Sequence, residues 1–146
     1  MASLKAFLKK KKYTHIPLEL TATNHFEIMA TINGVSGRFI LDTGASNTCI
    51  GFDKIEFFKL NSKDSEIRAA GAGATEMLTR LSTKNKVQIG DWISERRKIV
   101  LFDLVHVNEA LTSHQALPVD GIIGADILKK GRAIIDYRKQ GLYLRQ

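Results

Sequence analysis

The chain has 146 residues, which is the length of one ordinary domain. Hydrophobic residues make up 44% of it and charged residues 25%, a composition typical of globular proteins. Two prolines and 11 glycines exclude the disordered and collagen-like classes, and the single cysteine, Cys49, excludes an intramolecular disulfide framework. The net charge is +7, but residues 1–12 hold five lysines and no acid, so the rest of the chain carries only +2.

The basic start of the chain predicts a solvated, flexible tail over residues 1–14, followed by one domain over residues 15–146. Contact of the tail with a membrane surface or a nucleic acid is the less favoured alternative, and no nucleic-acid partner is expected. The longest apolar runs, such as residues 99–102, are far shorter than the ~18 residues of a membrane span. Phe7-Leu8 is too short for the apolar part of a secretory signal, so a cytoplasmic location is expected.

In chain order, the alternation of apolar and polar residues predicts mostly strands, with Asn33-Gly34 as a tight hairpin turn. The strands are predicted at residues 16–23, 26–32, 38–41, 48–50, 66–70, 77–89 and 92–102. Short helices are predicted at residues 52–60, 104–117 and 127–130, and a closing hairpin at 133–137 and 142–144. Asp126 is predicted to cap the last helix and Gly131 to end it. The fold class is therefore mainly β, with two or three short helices and no repeat or linker.

Asp42-Thr43-Gly44 stands where the apolar strand 38–41 ends. A carboxylate at that point projects from a tight loop whose glycine lets the backbone approach a neighbour closely. An ordinary turn, in which Asp42 accepts a hydrogen bond from its own loop, explains the same three residues. The tripeptide alone leaves both interpretations open.

Two separated blocks resemble the retropepsin-like aspartic proteases, in particular the single-domain bacterial members: FILDTGAS at 39–46 and GIIGADIL at 121–128. In that family the first block is the catalytic loop, and the second packs under it and leads into a helix. The closing hairpin with Asp136-Tyr137 also resembles the end of the bacterial members. The resemblance implies the retropepsin-like acid-protease fold, a closed and twisted β-sheet domain that is active as a symmetric homodimer.

The chemistry of this family needs two carboxyl groups that share one proton, one as base toward a water and one as acid toward the scissile carbonyl. The sequence contains Asp-Thr-Gly once, so the second carboxylate of an active enzyme must be Asp42 of another chain. The resemblance thus implies an aspartic endopeptidase in which water is activated between two Asp42 side chains. The expected partners are a second copy of the chain and a peptide or protein substrate.

The resemblance also implies roles for the residues around the two blocks. The catalytic loop is Asp42, Thr43 and Gly44; substrate contacts are Ala45, Ser46 and Asn47; loop supports are Ile122, Ile123 and Gly124. The Thr43 hydroxyl is expected to interlock with the loop of the partner. Because Ala45 lacks the hydroxyl that pepsin-like enzymes carry there, activity is expected at mildly rather than strongly acidic pH.

A glycine-rich segment about 30 residues after Asp42 is the candidate for the mobile hairpin, or flap, that covers the substrate in this family. Gly71, Ala72 and Gly73 are accordingly expected to contact substrate. An ordinary surface loop is the alternative, and the segment lacks an aromatic lid residue.

Other reactive side chains indicate no second site. His106 and His114 have no third ligand nearby in sequence, so no metal and no other cofactor is expected. Cys49 and Trp92 are predicted to be buried core residues.

The alternative function is an inactive, dimeric peptide-binding module of the same fold. Residues 104–117, longer than a minimal retroviral-type chain needs, are predicted to pack on the surface, with a dimer contact or a gate as alternatives.

Overall fold

A computed structural model describes residues 3–64, 69–71 and 74–146 of the chain, and these residues are mainly β. The strands are β1 Tyr13–Pro17, β2 Glu19–Leu20, β3 Phe26–Ile32, β4 Val35–Leu41, β5 Cys49–Gly51, β6 Lys63–Asp64, β7 Ala69–Gly71, β8 Ala74–Met77, β9 Arg80–Ile89, β10 Trp92–Phe102, β11 Gly121–Ile123, β12 Ile134–Asp136 and β13 Gly141–Arg145. The helices are α1 Leu4–Lys10, α2 Val105–Ser113 and α3 Ala125–Lys130, with a 3-10 turn at Phe52–Lys54. The predicted mainly-β class is confirmed.

The largest sheet closes on itself. Its strand order is β2-β3-β4-β11-β5-β10-β9-β6, and β3 also pairs with β9 through Thr31 opposite Gln88 and Ile32 opposite Val87. A smaller sheet has the order β1-β13-β12, and β7 pairs with β8. Closure satisfies the edges of β3 and β9 and encloses the apolar side chains of the central strands.

The β3–β4 hairpin follows from the sequence pattern. Ile28, Ala30 and Ile32 are buried on one face of β3, as the period of two requires. Asn33 and Gly34 have φ of 51° and 86°, the left-handed pair that a two-residue hairpin turn demands. The Asn33 side chain also donates to the Phe58 carbonyl oxygen at 2.9 Å, which ties the turn to the segment after β5.

Both faces of β4 are buried, in two different apolar clusters. Phe39 and Leu41 belong to the main core, whereas Ile40, between them, packs in a second cluster with Cys49 of β5 and Leu111 of α2. The strand that leads into Asp42 is thus packed on both of its faces. Burial of such side chains stabilises the fold by about 1.5–3 kcal/mol each.

The helices differ in part from the sequence-based expectations. The helix expected at 104–117 is present as α2, and Leu111 packs it onto the domain. The helix expected at 52–60 is wrong, because only the 3-10 turn at Phe52–Lys54 forms before Phe58 turns into the core. The segment predicted as a flexible tail over 1–14 contains α1 and the first residues of β1. None of the helices in the described part of the chain is long and apolar enough to cross a membrane.

Candidate active site

Strand β11 lies between the two strands that flank the Asp42 loop. It runs parallel to β4, with Ile123 opposite Leu41, and antiparallel to β5, with Ile122 opposite Cys49. The chain therefore leaves β4 at Asp42, passes over the end of β11 and returns as β5. This arrangement joins the two sequence blocks that are about 80 residues apart.

The Asp42 loop is fixed by main-chain hydrogen bonds to β11 and α3. The Asp42 N–H donates to the Ile123 carbonyl at 3.0 Å, and the Ala125 N–H donates to the Ala45 carbonyl at 2.7 Å. Within the loop, the Gly44 N–H donates to Oδ1 of Asp42 at 2.9 Å. One carboxylate oxygen is thereby oriented, and the half-buried Asp42 side chain keeps its position at the surface.

A hydrogen-bonded pair, the buried Thr48 and the half-buried Asp126, supports the same loop. The Thr48 side chain is fully buried, donates to Oδ1 of Asp126 at 2.8 Å and accepts from the Gly124 N–H at 3.1 Å. The same Oδ1 accepts from the Thr48 N–H at 2.9 Å and from the Ile127 N–H at 2.8 Å. The prediction that Asp126 caps the last helix is wrong: Gly124 occupies the N-cap position, and Asp126, in the first turn, holds Thr48.

Gly124 and Gly121 are glycines because of space rather than backbone conformation. A Cβ on Gly124 would lie 2.7 Å from the Asn47 carbonyl oxygen and 2.8 Å from that of Ala45. A Cβ on Gly121 would lie 2.2 Å from the Cys49 carbonyl oxygen. The absence of a side chain at Gly121 and Gly124 therefore lets β11 and the residue after it pack closely against the loop that they support.

Asp42 and Thr43 line a cleft of about 300 Å³. Its apolar walls include Phe26 and Tyr137, whose ring centroids are 5.4 Å apart, and Ile135 of β12. Tyr137 is 67% exposed, a large apolar ring left in solvent next to the carboxylate. The Thr43 hydroxyl is exposed and makes no hydrogen bond to any residue that the structure describes.

The environment of Cys49 makes it a poor nucleophile. Burial, with the nearby charges of Asp126 and Asp42, raises the pKa of the Cys49 thiol from 9.0 to about 12. Its Sγ–H donates to the Asn47 carbonyl at 3.2 Å. The prediction that Cys49 is a buried core residue is confirmed. Among the side chains that the structure describes, no three His, Cys, Asp or Glu residues come together as a metal site would require.

The residues expected at the site fall into two groups. Asp42, Thr43, Gly44, Ala45, Ser46 and Asn47 form one continuous loop, and Ile122, Ile123 and Gly124 lie against it. Gly71 pairs with Ala74 across the β7–β8 hairpin, whereas Ala72 and Gly73 lie outside the described residues, so the flap stays a prediction. Sequence reasoning missed the role of Thr48, which carries no motif of its own; the one available signal was a polar residue directly before the apolar strand β5.

Comparison with known proteins decides the family. The family model described as "Aspartyl protease" matches residues 28–127, which is more than half of the chain and includes the first block and all but the last residue of the second. The chain belongs to the aspartyl protease family. It is also 30% identical, over 132 residues and 90% of its length, to the Gag-Pol polyprotein of walleye dermal sarcoma virus, of which it spans 7%.

Solved structures place this aspartyl protease chain among the retropepsin-like folds. A retropepsin-like aspartic protease from Rickettsia conorii is similar with a TM-score of 0.61 and 19% identity, over 91% of each chain. The retroviral protease-like domain of Ddi1 from Leishmania major gives 0.52 and 19%, over 86% of this chain and 90% of that one. The EIAV protease gives 0.53 and 18%, over 70% and 84%. The expected retropepsin-like family and fold are therefore confirmed, and they support a protease function in general terms.

Proposed function

We propose that the protein is an aspartic endopeptidase that acts as a homodimer, with Asp42 of each chain supplying one carboxyl group. The observation that carries this proposal is the Asp42-Thr43-Gly44 loop itself, which is held by β11 and the Thr48–Asp126 pair yet leaves Asp42 and Thr43 at the surface. An aspartate in an ordinary turn does not need support from both a neighbouring strand and a second hydrogen-bonded pair.

The proposed reaction uses one ionised and one protonated Asp42, because two carboxylates that face each other cannot both ionise easily. The ionised carboxylate accepts a proton from water while the oxygen of that water attacks the peptide carbonyl carbon. The protonated carboxyl donates its proton to the carbonyl oxygen, which gives a neutral tetrahedral intermediate. The carboxyl that took the proton from water then donates it to the amide nitrogen, and the C–N bond breaks. As the intermediate collapses to a carboxylic acid, one of its two hydroxyls returns a proton to the carboxylate pair, which again shares a single proton.

The cleft beside Asp42 supports a second copy as the partner. Leu20 and Tyr137 are large apolar side chains that are 48% and 67% exposed, and both line this cleft with Thr43. Apolar groups exposed together mark an interaction surface. Pairing of two chains across this surface brings the two carboxylates together and gives the unpartnered Thr43 hydroxyl an acceptor in the other loop.

The remaining assignments belong to the same proposal. Ala45, Ser46 and Asn47 contact the substrate next to the catalytic loop, and the β7–β8 hairpin covers it through Gly71, Ala72 and Gly73. Since Ala45 supplies no hydroxyl donor to the carboxyl pair, the pH optimum is mildly acidic.

Cleavage of a mixed peptide library tests the proposal. Wild type, Asp42→Asn and the control Asp53→Asn, at an exposed aspartate outside the loop, are compared from about pH 4 to 7.5. We expect wild type and control to give the same cuts and Asp42→Asn to give none, because an amide cannot serve as the base. If folded wild type makes no cuts but retains bound peptides, the inactive peptide-binding module replaces the enzyme.

A further inference from the structure

A recess between α1 and the β1–β13 strands carries a concentration of positive charge that the protease chemistry does not use. We propose that this recess, of about 500 Å³, binds a compact anion that carries several linked phosphate groups. It is lined by Lys5, Lys9 and Lys12, and Asp91 is the sole acid among its lining residues. We call it the α1 recess.

Helix α1 holds its lysines in place because it is anchored to the domain. Ser3 caps the helix by accepting from the Ala6 N–H at 3.1 Å, and Leu8 is only 4% exposed. Lys5 and Lys9 are one turn apart, so they lie on the same side of the helix. The recess is therefore built by a docked helix and not by a free basic tail.

The charges of the α1 recess have no internal partner. Among the residues that the structure describes, Lys5, Lys9 and Lys12 form no ion pair with a carboxylate. Partial burial and, after it, the positive charge of Lys5 lower the pKa of His15, on the adjacent strand, although the charge of Asp136 acts in the opposite direction. Three ammonium groups around one hollow repel one another, and a multiply charged anion relieves that repulsion.

The shape of the recess favours a small ligand over a polymer. Its volume lies within the range of ordinary small-molecule sites, and Lys5, Lys9 and Lys12 line one side of it. Ammonium groups bind phosphate oxygens as point charges from several directions. The phosphate chain of an inorganic polyphosphate and that of a nucleoside triphosphate present the same groups to the site.

The chain contains its own reporter of binding. Trp92 is the only tryptophan, and it lines the α1 recess with its indole N–H bonded to the Arg145 carbonyl at 3.1 Å. A change in the charge around the recess should therefore alter the fluorescence of this single residue.

The test titrates the full chain with sodium tripolyphosphate, at constant ionic strength, and follows the Trp92 fluorescence. The variant Lys5→Ala/Lys9→Ala removes two charges from the recess, and alanine preserves the helix. The matched control Lys10→Ala/Lys11→Ala removes the same charge from the same segment, at lysines that do not line the recess. We expect saturation at one site, a loss of affinity of about tenfold or more in the first variant, and a change within about twofold in the control.

Three results would overturn the proposal: no saturation, equal loss in both variants, or tighter binding of a single-stranded oligonucleotide that depends on all four lysines. ATP in place of tripolyphosphate separates the two sources of phosphate, since a nucleotide site binds ATP more tightly. Circular dichroism of both variants verifies that α1 and the domain remain folded. Because the readout is binding, the result is independent of whether the Asp42 pair is active.

Discussion

Replacement of Thr48 by valine tests whether the Thr48–Asp126 pair supports the Asp42 loop. Valine has nearly the same shape as threonine but lacks the hydroxyl, which donates to Asp126 and accepts from the Gly124 N–H. The Gly124 N–H then has no acceptor at a fully buried position, which costs about 1–3 kcal/mol. Loss of the hydrogen bond from Thr48 to the Asp126 carboxylate adds to that cost. We therefore expect the free energy of unfolding to fall by about 2–4 kcal/mol.

Urea denaturation of wild type, Thr48→Val and Thr48→Ser measures this effect. Serine keeps the hydroxyl and loses one methyl group, so it should cost only about 1 kcal/mol. The midpoint of thermal unfolding should fall by about 5–15 °C in the valine variant. A double-mutant cycle with Asp126→Ala should give a coupling energy of about 1 kcal/mol or more.

The reasoning is refuted if Thr48→Val is no less stable than Thr48→Ser. A coupling energy near zero would refute it as well, because the two side chains would then act independently. Cleavage activity per folded dimer should fall in the valine variant and not in the serine variant, since the loop loses its lower brace in the valine variant alone.

Three further predictions concern the same region. Gly124→Ala should lower the free energy of unfolding, measured by urea denaturation, by at least about 2 kcal/mol, because the alanine Cβ meets two backbone oxygens. An unchanged free energy of unfolding would show that β11 can shift to make room. Cys49, with its pKa raised from 9.0 to about 12, stabilises the fold below pH 9, and this contribution is lost as pH rises from 9 toward 12. Wild type should therefore lose about 2 kcal/mol more than Cys49→Ala between pH 8 and 10.5, and equal losses would contradict the burial of the thiol. Tyr137→Glu should weaken dimer formation at least about tenfold in sedimentation, whereas Met29→Glu, at an equally apolar exposed residue on β3, should not; the reverse order would move the dimer surface elsewhere.

Local patterns predicted the elements that depend on local physics. Strand β10 has the predicted bounds, Trp92–Phe102, and the Asn33-Gly34 turn forms with both residues at positive φ. In each case the signal is local: apolar and β-branched residues at both ends of the strand, or the dipeptide that tolerates left-handed backbone. The family was recognised from the Asp42-Thr43-Gly44 tripeptide together with a second block about 80 residues further along the chain.

Features that depend on distant residues could not be predicted. Asp126 has the position of a helix cap in sequence, but α3 begins two residues earlier than predicted, and the Asp126 carboxylate also binds Thr48, 78 residues away. The sequences of β3 and β9 likewise do not indicate that the two strands pair, because Thr31 and Gln88 are polar residues of a kind found in many strands. The basic start of the chain was expected to be solvated, and the single side chain Leu8 is what anchors it as α1.

The position of β11 has a consequence for how the protein is made. Asp42 emerges from the ribosome long before Ile123, whose carbonyl accepts its N–H, and the two are separated by about eighty residues of synthesis. At ~5–20 residues per second, the nascent chain carries an unsupported Asp-Thr-Gly segment for roughly 4–16 s. Through that interval β4 and β5 lack the strand that must insert between them. A growing chain therefore has the residues of the Asp42 loop without its geometry. If the proposed function holds, translation itself delays the onset of proteolysis until β11 is complete.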